Sequence, residues 1–571
     1  MKKLLCIMLV SVMAVSIVTA CGNAQQRQDP PAGTQTGSQA PDKIVELEVL
    51  HMGGNFSGLI DGWMGQMLEQ NGLAVNLVLL AYDALVPRIA SGELGDAIMI
   101  DPREQAINAA RGNMLLNLDD HKDKLPSLFD KIPNALQFSR DFLSGDTGKL
   151  YIVPAAIGPN ILNFHVDPYA FYVKWDVFRS LSNPPEVKTL EDTIDLIVAM
   201  KEAYPQTADG QETYAFPIWS DWDGGNRFTP AAGILTMLGF GGTEMRHFIQ
   251  IQAQDNSIQT IFDENGAYKR AMKYLYAVNQ EGLIDPDCVT MPYATTVATL
   301  TNGAYLTSVY GYPSVYNTQD NLQNGTGYIL YDFDEQVITH NNPSSVGHTG
   351  RHWCINARTK NVDAALTFLN LLADDEFLFE LWNGPEGWFW EFGSDNKPKR
   401  TERAWNHFDA AEPWLLPDGM EMTSLNFQTV INSVMFYEKY NARASSSTWP
   451  DVIARINDNT LVNDWRQYYN ASSPYEYLMK NNKFYYRSEA YYAYMPVMPD
   501  DITIIRDAVG NVYIPQSYKM MLAANEGEFQ SLWDGMVKDS MALGAQEVID
   551  WAIEQVQAGD ALIAKYGAVL K

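Results

Sequence analysis

From Asp42 onward the chain alternates short strand signals with helix signals, and this alternation constrains the fold more than any other feature. Ile44-Val45-Glu46-Leu47-Glu48-Val49-Leu50 sets apolar against acidic residues with period two, as in a strand with one buried face. A Gly-rich loop, His51 to Gly58, follows it, and Leu59 to Gln70 reads as a helix. Leu73 to Ala81 reads as a second strand with Ala84 to Ala90 helical behind it. Ala97-Ile98-Met99-Ile100 is a third strand, ending at Asp101-Pro102. Strand, helix, strand, helix, strand predicts an α/β fold with a largely parallel sheet. Further on, Thr189-Leu190-Glu191-Asp192 fits a capping box, with Leu190, Ile194, Ile197 and Lys201 at helical spacing and Lys201 at the solvent edge. Three more amphipathic helices are marked by Tyr268, Met272, Leu275 and Tyr276, by Val362, Ala365, Leu366, Leu369 and Leu372, and by Phe529, Trp533, Met536 and Val537.

The chain has 571 residues, more than one ordinary domain holds. Its hydrophobic fraction of 46% supplies real cores and excludes wholesale disorder. Forty Lys and Arg against 69 Asp and Glu give a net charge of −29, which repels phosphate backbones and makes nucleic acid an unexpected partner. The aromatic-dense stretch 465–494 suits either a ligand cleft or a core, the core being the commoner use.

Residues 1–20 read as a signal peptide: Lys2 and Lys3 form a basic start and Leu4 to Val18 an apolar run shorter than a membrane span needs. Val18-Thr19-Ala20-Cys21 is similar to a bacterial lipobox, which would make Cys21 the lipid-bearing first residue of the mature chain. Residues 22–42, rich in Gly, Pro, Gln, Ser and Thr, form a flexible linker behind it. Cys288 and Cys354 are the remaining cysteines, and their spacing does not decide whether they pair.

Signatures of catalysis are sparse. The chain has no G-x-S-x-G, Walker loop, G-x-G-x-x-G, C-x-x-C or H-E-x-x-H motif. His348 and His352 lie four apart near Cys354 but without a good helix or a fourth ligand, so a structural role is favoured over a metal. Asp221 and Asp223 flank Trp222, and Glu386 sits among Gly384, Gly387 and Trp388. Such acids would serve either a glycosidase pair or a sugar-binding groove, where carboxylates accept hydroxyl protons and rings cover apolar sugar faces.

Several segments together resemble the extracellular solute-binding proteins of carbohydrate ABC importers, specifically the large LplA-like lipoproteins. Leu150-Tyr151-Ile152-Val153-Pro154 is similar to the G-x-x-Y-x-x-P strand of that family, and Tyr268 to Pro286 to its helix followed by EGLIDP. Asn302-Gly303-Ala304-Tyr305 with Tyr310-Gly311-Tyr312, the run from Val346 to Asn356, and Gly384-Pro385-Glu386-Gly387-Trp388 match further pieces. The calcium-loop pattern of many relatives is reduced in Tyr204 to Glu212 to Asp209-Gly210, so bound calcium is doubtful and no cofactor is expected.

The resemblance implies a periplasmic-binding-protein-like fold of type II, two hinged α/β lobes with a ligand cleft between them and three crossings of the chain. Lobe one would take residues 43–153 and 295–350, lobe two 154–294 and 356–571. It further implies a non-enzymatic, monomeric receptor on the outer face of the cell membrane that passes an oligosaccharide to ABC permease subunits. A lipid-anchored glycoside hydrolase, or a receptor of the same fold for peptides or other small molecules, is the alternative. Because open α/β sheets bind ligands beyond their strand ends, the expected ligand residues are Asn55, Ser57, Asp101, Trp219, Asp221, Trp222, Asp223, Tyr310, Tyr312, Trp353, Glu386 and Trp388. The rings would stack, and the acids and amides would bind hydroxyls.

Overall fold

In the computed structural model the described residues are 43–52, 56–80, 82–158, 170–220, 223, 227–241, 244–309, 315–342, 346–347, 350–410, 416, 428–488, 495–496 and 498–566. Residues 1–42, with the expected signal peptide, Cys21 and the expected linker, lie outside them. The first sheet has six strands in the order Gly58–Leu59, Leu73–Leu79, Val45–His51, Ala97–Ile100, His352–Ile355 and Ile152–Pro154. Val45–His51 pairs in parallel with Leu73–Leu79 and with Ala97–Ile100, as the alternation of strand and helix predicts. His352–Ile355 enters antiparallel between Ala97–Ile100 and Ile152–Pro154. Period-two burial puts Leu47, Val49, Met99, Val153 and Trp353 into one core and Leu50, Ile98, Ile100, Ile152 and Cys354 into another on the opposite face.

A second body is built on a three-stranded antiparallel sheet, Tyr328–Leu330, Tyr172–Lys174 and Thr307–Ser308. Its core is the largest among the described residues and draws on residues 170–338 and 461–556. The capping box forms as expected: Thr189 N–H donates to Asp192 Oδ2 at 2.8 Å, and Asp192 N–H to Thr189 Oγ1 at 3.3 Å. The helix Asp192–Ala203 buries Leu196, Ile197 and Met200. Of the aromatic stretch, Trp465 and Phe484 join this core and Tyr469, Tyr475 and Tyr477 pack against it.

The two bodies divide the chain differently from the expected boundaries. Leu300, Tyr305, Leu306 and Val309, expected in lobe one, belong to the second body's core. The reason is backbone pairing: Tyr214 N–H donates to Ala304 O at 2.9 Å and Leu306 N–H to Tyr214 O at 2.8 Å. Conversely Leu366, Phe368, Phe379 and Trp449, expected in lobe two, pack on the first sheet. Among the described residues, core membership changes three times, between residues 157 and 170, 338 and 346, and 452 and 461. Cys288 and Cys354 fall in different cores and are free thiols, buried where burial pushes both pKa values up.

Candidate ligand cleft

Strand direction brings the candidate site to one edge of the first sheet. His51, Leu79 and Ile100 end the three parallel strands there. His352, which opens its antiparallel strand, lies opposite both Ile100 and Pro154, so the outgoing and returning passages meet at this same edge. They touch: Ala155 N–H donates to Arg351 O at 3.0 Å, and Gly347, at φ +86°, sits so close that a Cβ would lie 2.7 Å from Pro154 Cβ. Only glycine fits that approach. The outgoing strand is steadied on its other side, where Ile157 N–H donates to Val430 O at 2.8 Å and Asn432 N–H to Ile157 O at 3.0 Å. Both passages thus run at the carboxyl ends of the strands, the edge at which open α/β sheets hold ligands.

Two expected residues lie on this edge. Exposed Ser57 accepts from Leu79 N–H at 2.8 Å, fixing the loop after the first strand against the end of its neighbour. Asp101 follows the Ala97–Ile100 strand; its carboxylate lies 3.6 Å from Arg351 Nε on the returning passage. Asn55, Asp221, Trp222, Tyr310 and Tyr312 lie outside the described residues.

Of the remaining expected residues, three are buried and two lie on the Gly-rich turn. Trp353 is fully buried on the core face, its indole N–H donating to Gln428 O at 2.9 Å and its ring edge-on to Phe368. Its strand register puts it between Met99 and Val153, which point into the same core, so no ring face is left for a sugar. Trp219 follows the 214–217 segment but turns inward against Tyr293, with ring centroids 5.2 Å apart. Asp223 is buried, accepting from Tyr518 O–H at 2.6 Å and from Thr229 N–H, the first of its helix, at 2.8 Å. Burial raises its pKa and these two bonds pull it back. With both oxygens occupied it is poorly placed as a hydrolytic acid or base. Glu386 is exposed on its turn, and Trp388 is half-buried beneath the Arg403 guanidinium, 3.4 Å from the ring centroid. That cation–π contact covers one ring face.

Sequence reasoning missed Arg103 and Arg351. Arg103 opens the helix after Asp101-Pro102, is buried, and donates to Met495 O of the second body at 2.5 Å. Burial lowers its pKa and Glu104 partly offsets this. His51, buried at the end of the first strand, has its pKa lowered by burial against the pull of Phe56 O. No motif marks these residues; the signal is their position at a strand end or within three residues of one. Among the described residues no three His, Cys, Asp or Glu side chains gather as a metal site, and no helix is long and apolar enough to cross a membrane. Among the described residues the edge offers hydrogen-bonding groups of both signs.

No family model and no curated protein matches the chain. Its fold, however, matches solved structures over nearly the whole length. One is the Streptococcus pneumoniae ABC-transporter substrate-binding protein FusA in complex with kestose, at a TM-score of 0.60 and 16% identity, covering 91% of this chain and 100% of that one. Another is the HMO-binding, ABC-transporter-associated solute-binding protein from Bifidobacterium longum infantis, at 0.53 and 15%, covering 90% and 99%. A third is the alginate-binding protein AlgQ2 without calcium ion, at 0.57 and 13%, covering 91% and 99%. The chain has the two-lobed fold of solute-binding proteins.

Proposed function

We propose that this chain is a substrate-binding protein that captures an oligosaccharide between its two bodies and delivers it to the permease subunits of an ABC importer. The observation that carries the reading is the match of fold, over 91% of this chain, to a receptor solved with kestose bound. The meeting of two passages at the strand ends supports it, because a ligand touching both bodies there favours the closed arrangement through contacts the open one lacks. Capture of this kind needs no chemical step, and the full commitment of Asp223 agrees with binding rather than hydrolysis.

The signal peptide and lipobox support attachment through lipid on Cys21 at the extracytoplasmic face of the cell membrane, with residues 22–42 as the tether. A tethered receptor meets a neighbouring permease at high effective concentration. For the site itself the reading keeps Ser57 and Asp101 as hydroxyl-binding groups, with Asn55, Asp221, Trp222, Tyr310 and Tyr312 joining them. Glu386 and Trp388 stand as a more distant pair, and Asp223, Trp219 and Trp353 as its buried support.

The test is a thermal-shift screen of the chain from Gly22 against oligosaccharides, monosaccharides and peptides, followed by analysis of each hit for products. A ligand at about 100 times its Kd adds about 2.7 kcal/mol of stability. A shift with one glycan class and intact sugar is the expected result. Shortened sugar would make the protein a hydrolase, and a shift with peptides alone would replace the cargo.

A further inference from the structure

The segment behind the capping-box helix is where the resemblance places a calcium loop, and the structure shows what holds it closed. Residues 204–214 form a tight excursion: Gln206 bridges Glu212, Thr207 N–H donates to Gln211 O at 2.8 Å, and Thr213 N–H to Pro205 O at 3.1 Å. Gly210, at φ +86°, makes the turn. A calcium ion here would need six to eight oxygens converging on one point. The loop itself supplies only two carboxylates, and both are engaged, while Asp285 from a neighbouring segment adds a third charge near Glu212. Asp209 Oδ1 accepts from the Thr207 hydroxyl. Glu212 Oε1 accepts from Lys201 Nζ at 2.9 Å, and its Oε2 from Tyr214 O–H at 3.4 Å.

Lys201 is not the solvent-edge residue its helical spacing suggests, for its side chain is only 20% exposed. The ammonium also donates to Thr213 O and lies 4.9 Å from the Tyr214 ring centroid. One cation therefore gathers a carboxylate, a carbonyl oxygen and an aromatic face from the far end of the loop. At the near end, Thr213 Oγ1 donates to Tyr204 O at 2.6 Å, and the buried Lys174 ammonium lies 5.4 Å from the Tyr204 ring. A divalent ion brought to Glu212 would meet the Lys201 charge already in place, so the donor set does not fit calcium.

We propose that the Lys201 ammonium serves as the internal cation of the 204–214 loop, closing it with the protein's own charge so that its order does not depend on a divalent metal. The consequence is a receptor whose second body keeps its fold where calcium is scarce. This holds whichever ligand the cleft takes.

Hydrogen exchange of the full mature chain, followed on peptides covering 204–214, tests this. In the wild type the loop's protection is expected to be the same in EDTA and in millimolar calcium; faster exchange in EDTA would overturn the proposal without any variant being needed. In Lys201→Met, exchange of these peptides is expected to rise about tenfold, as when a charged hydrogen bond is lost, while peptides from the first sheet stay unchanged. Wild-type protection in Lys201→Met would equally overturn it.

Discussion

Asp223 satisfies two donors at once, and its replacement isolates them. Removing the carboxylate in Asp223→Ala takes this one acceptor from Tyr518 O–H and Thr229 N–H in a buried setting. A hydrogen bond to a charged acceptor is worth about 1.5–3 kcal/mol, so the urea midpoint is expected to fall. His247 supplies the pH dependence. Its pKa is pushed down to about 3, chiefly by burial and further by Arg506 and Arg246. The unfolded chain binds this proton near pH 6.5 and the folded chain does not, so stability is full above that pH and is lost as pH falls towards about 3. The ceiling is about 1.4 kcal/mol per pH unit, and the residue's partial exposure reduces it. His247→Phe is expected to flatten this slope in unfolding titrations between pH 7 and pH 4. Trp353 shows why a side chain's direction is not legible at this scale. Its place at a crossing is visible in the sequence, but which way it points depends on its pairing with Met99 and Val153, and one residue of register decides between core and cleft.

Local signals in the chain come through as local structure. The helix Asp192–Ala203 begins where Thr189 and Asp192 cap each other, because a capping box is complete within four residues. Thr189→Ala removes the hydroxyl half of that exchange and is expected to cost about 0.5–2 kcal/mol, read as a lower Tm with unchanged ligand affinity. The parallel run Val45–His51, Leu73–Leu79 and Ala97–Ile100 is legible for the same reason, since each helix returns the chain within a few residues. Lobe boundaries are not legible in this way. The segment around Tyr305 joins the second body through pairing with Tyr214, some ninety positions earlier, and the helix Val362–Leu371 joins the first through Trp353 and its neighbours. Both follow strand signals that read alike whichever sheet receives them, and only the pairing tells the sheets apart.

At the scale of the whole molecule the two bodies are joined by three passages, two of them side by side at the strand ends, and by the Arg103 contact with Met495. The passages are covalent and persist in any arrangement; the Arg103 bond exists only when the two bodies stand close. A hydrogen bond from a charged donor contributes about 1.5–3 kcal/mol, and a ligand shifts such an equilibrium only by its differential affinity for the two states. Arg103→Ala therefore takes stability from the closed arrangement and leaves the open one nearly untouched. Two outcomes are expected together: a larger radius of gyration of the ligand-free chain by small-angle X-ray scattering, and an apparent Kd weaker by about tenfold, the ratio that 1.4 kcal/mol of lost closure corresponds to. Saturating ligand is expected to return the radius of the variant to that of the saturated wild type, because the ligand supplies the contacts that Arg103 no longer does. An unchanged Kd with an enlarged radius would mean that the ligand is held by one body alone, and Ser57 and Asp101 on the first would then be the residues to follow.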